Sequence, residues 1–157
     1  MKRIGMVAVA GAALLASSPA FTAPANGAAA PRAHGRGSGI FLHPPFTGDR
    51  VDVDLDASGS GGRFAIVHYD RSGKVFAQVS GTVNCVAVNG RMAVTTGKIT
   101  AGFSPVGDPR GKSFAITVLD NDGGPDALGV SFPLPQMPAC MAWPLNMVMD
   151  RGDYTIS

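Results

Sequence analysis

From residue 50 onward, apolar and polar residues alternate along most of the chain with a period of two, the pattern of β-strands that bury one face. Val51, Val53 and Leu55 alternate with Asp52, Asp54 and Asp56 before the Ser/Gly run at 58–62 interrupts them. Phe64, Ile66 and His68 alternate with Ala65, Val67 and Tyr69, and because both sets are largely apolar this segment reads as a central strand. After a turn at 70–73, Val75, Ala77, Val79, Gly81, Val83, Cys85 and Ala87 form a small or apolar set opposite Gln78, Ser80, Thr82 and Asn84, which points Cys85 at the core. Asn89 and Gly90 both tolerate positive φ and predict a type I′ hairpin. The apolar set then changes phase between Val94 and Ile99, which puts a bulge at Gly97. Beyond a Gly/Pro loop at 101–112, Phe114, Ile116 and Val118 alternate, and Leu128, Val130, Phe132 and Leu134 do so after a turn at 121–126. A loop carrying Cys140 and Trp143 leads to a last short hairpin, 145–149 with 154–156. The expectation is an all-β chain: a single antiparallel β-sandwich or barrel of about eight strands.

The first 47 residues read differently. Lys2 and Arg3 precede an apolar run at 4–15 and then small residues, which predicts a signal peptide over 1–25, cleaved after Ala20 or, with the fuller A-x-A match, after Ala25. The run is shorter than the roughly 20 residues that span a bilayer, and no cysteine stands there to take a lipid, so no membrane anchor is expected after cleavage. Residues 26–47 are rich in Ala, Gly, Pro and Arg and predict a flexible leader, with Ile40, Phe41, Leu42 and Phe46 available to pack onto a β domain at 48–157.

Composition supports this picture. The 157 residues include 21 Gly and 12 Pro, and all acidic residues are Asp, an acid of turns and caps rather than of helices. Loss of Lys2 and Arg3 lowers the 13 basic residues to 11, equal to the 11 acidic ones, and they are scattered, so the electrostatic footprint of nucleic-acid binding is absent. Cys85 and Cys140 are the two cysteines; in an exported chain the even count predicts a disulfide closing a loop of about 55 residues, which would stabilise the fold by about 4 kcal/mol.

Candidate chemistry is sparse. Asp120, Asp122 and Asp126 place carboxylates at the first, third and seventh positions of a loop with Gly after the second, as short loops wrap Ca²⁺, but no Glu closes the site, and a turn bonding its own backbone is the favoured reading. Asp52, Asp54 and Asp56 mimic the first ligands of an EF-hand without its Gly and Glu, and read as the solvated face of a strand. His34, His43 and His68 lie apart, on the leader, a Pro-flanked segment and an apolar strand. No nucleophile elbow, zincin, phosphate-loop or dinucleotide motif stands in the right context, so neither catalysis nor a cofactor is expected. Arg151-Gly152-Asp153 spells an integrin-binding tripeptide, a match that three residues make often by chance.

The run from Gly81 to Ala93 (Gly-Thr-Val-Asn-Cys-Val-Ala-Val-Asn-Gly-Arg-Met-Ala), followed by Phe114 to Gly123 and then Asp126, resembles a family of small secreted actinobacterial β domains. Their recurring phrase is approximately G-T-V-x-C-V-x-V-x-G-N-x-A, then F-x-V-x-V-x-D-N-G with an Asp a few residues on. The similarity covers residues 60–157 at most, and Arg91 and the inserted Asp122 depart from it. The resemblance implies a β fold and export and carries no activity. The expected function is a secreted, non-catalytic extracellular module, structural or binding, with a partner in the cell wall or among extracellular proteins. The alternatives are a secreted inhibitor or ligand-binding barrel presenting the loops 101–112 or 135–144, or, less favoured, a small extracellular hydrolase. A polar pocket holding His68 with a carboxylate in reach would point to the hydrolase, a filled interior to the module.

Overall fold

In a computed structural model, the structure describes residues 29–157 except Ser60 and Asp122; the signal-peptide reading of 1–25 lies outside the described residues. Eight strands follow one another: β1 (Arg32–Phe41), β2 (Arg50–Ser58), β3 (Gly61–Tyr69), β4 (Val75–Asn89), β5 (Met92–Phe103), β6 (Ser113–Leu119), β7 (Ala127–Leu134) and β8 (Met147–Ile156). Each pairs antiparallel with the next, and β8 returns to β1, so the sheet is a closed barrel. Closure leaves no free sheet edge, and at eight strands the interior is just wide enough for side chains or one small ligand.

The alternating positions point inward as the period requires: Val51, Val53, Leu55, Phe64, Ile66, Val79, Ile116, Val118 and Leu128 are all buried in one core. Phe64 and Phe114 stack at its centre, ring centroids 3.6 Å apart.

Six sequence expectations need correction. The segment read as part of a flexible leader supplies β1, whose inward positions are Ala33, Gly35, Gly37, Gly39 and Phe41, paired to β2 on one side and β8 on the other. The glycines leave room that β8 occupies: a Cβ on Gly37 would overlap Met149 Cε, and one on Gly35 would run into the Asp153 carbonyl and stand 2.8 Å from the Tyr154 ring. The expected last hairpin is a single strand, β8, with an extra residue at Asp150 where the β1 register shifts. The bulge expected at Gly97 lies on the partner strand: Val83 pairs with Gly97 and Cys85 with Thr96, so Asn84 is the extra residue. That single residue reverses the parity of β4, turns Val86 inward and turns Cys85 to the outside of the barrel. Finally, β3 is not covered on both faces, since Ala65 and Val67 face outward and Ala65 is exposed. The β4–β5 turn has Gly90 and Arg91 as its central residues, with positive φ at Gly90 but not at Arg91, which matches type II′ rather than I′.

The outward Cys85 forms the expected disulfide with Cys140. It ties down residues 135–146, which run as a strap across the outer face of β5 and β6. Cys140 N–H donates to Thr96 Oγ1 at 3.0 Å and Trp143 N–H to Thr117 Oγ1 at 2.8 Å. Beneath the strap, Val94, Thr96, Ala115 and Thr117 are buried although they face away from the barrel interior.

The strap ends at the narrowest seam. Strands β7 and β8 pair at only two positions, Ala127 with Val148 and Leu128 with Met147. Asn146 extends the ladder: its N–H donates to Leu128 O at 2.9 Å, its Oδ1 accepts from Val130 N–H at 3.1 Å, and its Nδ2 donates to Val130 O at 3.0 Å. A side-chain amide here does the work of a peptide group. Asn146→Ala would leave both Val130 groups without partners, and urea denaturation is expected to show a loss of about 1–3 kcal/mol. Asn146→Asp should cost more at neutral pH, because a carboxylate oxygen would face the Val130 carbonyl.

Candidate functional site

The barrel is filled at its centre and opens at one end. At the open end the connections 42–49 and 104–112, the start of β4, the upper part of β7 and Trp143 and Asn146 of the strap surround a pocket of about 330 Å³. Aromatic and prolyl side chains make up about half of its lining, Phe41, Phe46, Phe76, Phe132 and Trp143 with Pro44, Pro45, Pro105 and Pro133, and His43, Ser104, Ser131 and Asn146 add polar groups. Phe103 and Val106, 50% and 75% exposed, and Leu42 add apolar surface close to this rim.

His68 lies at the floor. It follows Phe64 and Ile66 on the inward face of β3, and its ring makes edge and tilted contacts with Phe41, Phe46 and Phe76, centroids 5.3, 5.0 and 4.9 Å away. Its Nε2 lies 2.8 Å from Asp49 Oδ2 in a buried contact. A carboxylate only accepts, so Nε2 carries the proton and donates. Asp49 continues the inward parity of Val51, Val53 and Leu55 one step beyond the end of β2. The connection holding it is knit by backbone bonds: Asp49 N–H to Phe46 O, Gly48 N–H to Phe41 O, and Phe41 N–H to Asp49 O. Arg71 Nε donates to Thr47 O at 2.8 Å and lies 3.9 Å from Asp49 Oδ1, supplying a nearby positive charge for a side chain only 12% exposed. The other ring nitrogen of His68, Nδ1, makes no hydrogen bond among the described residues; nor is it sealed away, because the one buried side-chain N or O atom there without a partner is Arg50 Nε.

On the rim, the connection 104–112 is fixed by buried Pro109 and by Arg110, which grips the Asp108 carboxylate through Nε at 3.0 Å and Nη2 at 2.7 Å. The Arg110 hydrogen bonds hold the Asp108 carboxyl down to about 2. With a folded value below the unfolded one, this contribution is present above the unfolded range and fades only as pH falls toward 2.

Of the histidines and carboxylates the sequence singled out, His68 and His43 line this pocket, and the two loops expected to present a binding surface contribute to it through Ser104, Pro105 and Val106 and through Trp143. His34 is exposed on the outer face of β1, opposite Asp56. Asp52, Asp54 and Asp56 form the outward row of β2, where Ser38, Arg36 and Arg63 respectively engage them. Arg151, Gly152 and Asp153 lie within β8, opposite Ser38, Gly37 and Arg36, in a strand rather than at a loop tip.

In the 120–126 connection, Asp122 lies outside the described residues. Asp126 is buried and both its oxygens are committed to backbone: Oδ1 accepts from Asn121 N–H and Oδ2 from Tyr154 N–H, each at 3.1 Å. It clips the turn to β8, and Asn121 Nδ2 closes the turn on Pro125 O at 2.9 Å. No group of three or more His, Cys, Asp or Glu residues stands together for a metal among the described residues. Asp126→Ala is therefore expected to cost about 2–3 kcal/mol whether or not millimolar Ca²⁺ is present. A Ca²⁺-specific rise in melting temperature of the unaltered protein, abolished by Asp122→Ala, would show instead that the loop holds the ion.

The His68–Asp49 pair was missed by sequence reading. Its signal was faint: the inward period of β2 and β3 runs on to one charged and one titratable residue instead of ending at the last apolar one.

Comparison with protein-family models, with curated proteins and with solved structures gives no match for this chain.

Proposed function

We propose that the chain is an exported, non-catalytic binding module whose barrel mouth takes up a small apolar ligand. The observation that carries this reading is the contrast within the interior: its centre is filled by stacked Phe64 and Phe114, and one end opens as a pocket of about 330 Å³ in which aromatic and prolyl side chains surround the buried His68–Asp49 pair. That is the usual make-up of a small-molecule site. Export is supported by the N-terminal pattern, by the resemblance to secreted β domains and by the disulfide, which persists in oxidising surroundings. Among the described residues no helix is long and apolar enough to cross a membrane. The barrel carries Arg and Asp rows outside and apolar side chains inside, the reverse of a barrel that faces lipid.

The single tryptophan of the chain, Trp143, lines the pocket and serves as the reporter. Titration with small apolar compounds transparent above 290 nm should change its emission saturably, and Val130→Trp, which fills the pocket, should abolish the response while leaving the fold intact by circular dichroism. A wild-type protein indifferent to every such compound would sink the binding reading. Export is tested by N-terminal sequencing of material from the culture medium, which should begin after residue 20 or 25; an intact Met1 there would refute it.

One observation favours the hydrolase reading: a histidine with a carboxylate 2.8 Å away is the supporting half of a catalytic triad. Ser104 and Ser131 line the same pocket, but neither hydrogen-bonds His68 among the described residues. Ester hydrolysis by the wild type, lost in Ser104→Ala or Ser131→Ala, would favour that reading over the binding module.

A further inference from the structure

Resting on the binding reading, we infer that the mouth selects a neutral, ring-sized ligand bearing one hydroxyl donor, a phenol or a cyclic alcohol, with His68 Nδ1 as the acceptor that orients it. Three observations converge on this chemistry.

The first is the fixed tautomer. Asp49 accepts a hydrogen bond from Nε2–H, so in the neutral imidazole Nδ1 presents a bare lone pair, and a carboxylate behind an imidazole strengthens it as an acceptor. The second is the balance of needs. Nδ1 has no partner among the described residues and belongs to a side chain that lines the pocket, whereas the Asn146 amide in the same lining already spends its oxygen and one N–H on Val130. A bound apolar group with no donor would therefore strip water from Nδ1 and leave it unpaired, which disfavours such a ligand. The third is charge. Arg71 stands 3.9 Å from Asp49 and directs its Nε to the Thr47 carbonyl, so the negative charge at the floor has a nearby counter-ion, and among the described residues no Lys or Arg lines the pocket to pair with an anionic ligand. The aromatic walls supply the remaining affinity, with Phe and Trp rings that favour edge and offset contacts with a ring.

The test uses three compounds of one shape: 4-tert-butylphenol, its methyl ether 4-tert-butylanisole, and 4-tert-butylbenzoate, each titrated calorimetrically into the oxidised wild-type protein. The phenol is expected to bind about tenfold more tightly than the anisole, the worth of one hydrogen bond to an otherwise stranded acceptor, and more tightly than the benzoate. In His68→Phe the phenol preference should vanish. Because that substitution also leaves Asp49 without its partner and can unsettle the fold, the same question is put to the wild type by ¹⁵N NMR of the imidazole: Nδ1 should resonate as an unprotonated nitrogen in the free protein and shift toward hydrogen-bonded values with the phenol but not with the anisole.

Equal affinity for phenol and anisole, with an unmoved Nδ1 resonance, would overturn the inference while leaving the mouth as an apolar binding site. Preference for the benzoate would overturn it in favour of an anion site. Failure of all three to bind at millimolar concentration would overturn the binding reading itself and the inference with it.

Discussion

Replacing Cys85 or Cys140 by serine is expected to lower the free energy of unfolding by about 2–5 kcal/mol, a large share of what a domain of this size possesses. The bridge joins residues 55 apart, and on the chain-entropy account closing such a loop contributes about 4 kcal/mol through the unfolded state. A second contribution is native: the bridge presses the 135–146 strap onto Val94, Thr96, Ala115 and Thr117, all buried though they face outward. A loosened strap would expose that surface and surrender the bonds from Cys140 and Trp143 to Thr96 and Thr117. Both single variants and the double variant should therefore lose the same amount, and reductant should lower the wild type to their level and leave the variants unaffected. Urea curves of the wild type that coincide with and without reductant would show that the strap holds without the bridge.

The second large effect is expected at Tyr154. This side chain is 2% exposed, fills the space opposite Gly35 and donates its hydroxyl proton to Val53 O at 2.9 Å across the interior. Burial pushes its phenol well above the usual tyrosine range, so it stays protonated and remains a donor at any pH the fold survives. Tyr154→Ala should cost about 3–5 kcal/mol, as aromatic truncations in a core do, and Tyr154→Phe, which keeps the ring, about 1 kcal/mol. The complementary change is Gly37→Val, which places a branched side chain where Met149 Cε lies and should cost about 1–3 kcal/mol or more by overpacking. Shortening the intruding neighbour in the double variant Gly37→Val with Met149→Ala should recover part of that loss, a non-additivity expected of side chains that compete for one space. Strictly additive costs in thermal or urea unfolding would mean that the glycine is required for its backbone and not for its vacancy.

These two sites also mark where the sequence was readable and where it was not. Six of the strands, β2 to β7, carry branched or aromatic residues at alternate positions, so their existence followed from the period alone, as with Val51, Val53 and Leu55 or Phe114, Ile116 and Val118; β8, with Met147 and Met149 inward and exposed residues at 150–153, read instead as a hairpin. Strand β1 escaped because Gly35, Gly37 and Gly39 supply its inward face; the hydrophobic bulk that would have announced it is contributed by Met149 and Tyr154, more than a hundred residues later. The choice between sandwich and barrel was hidden for the same reason, since it is β1 that joins β8 to β2. Cys85 was assigned to the wrong face because an alternation rule has no memory of an unpaired residue, and Asn84 is one. The cysteine pairing was untouched by that error, because two cysteines allow only one bridge. The floor of the mouth was illegible in a different sense: His68 and Asp49 are 19 residues apart on neighbouring strands, and nothing short of the register brings their side chains together.

A two-residue pairing between β7 and β8, beside pairings of nine or more around β1 and β2, makes the wall uneven in mechanical strength. Amide hydrogens in the β4–β5 ladder should exchange with solvent last, whereas those of Val130 and Met149, held by the Asn146 carboxamide and by the Asp126 carbonyl, should be among the first within the sheet to exchange. The wall thus has a hinge line, and it passes Val130 and Asn146, which also line the pocket. A guest larger than the resting aperture would then enter sideways, as a door opens, and the pace of its arrival and departure would be set by the breathing of that one joint.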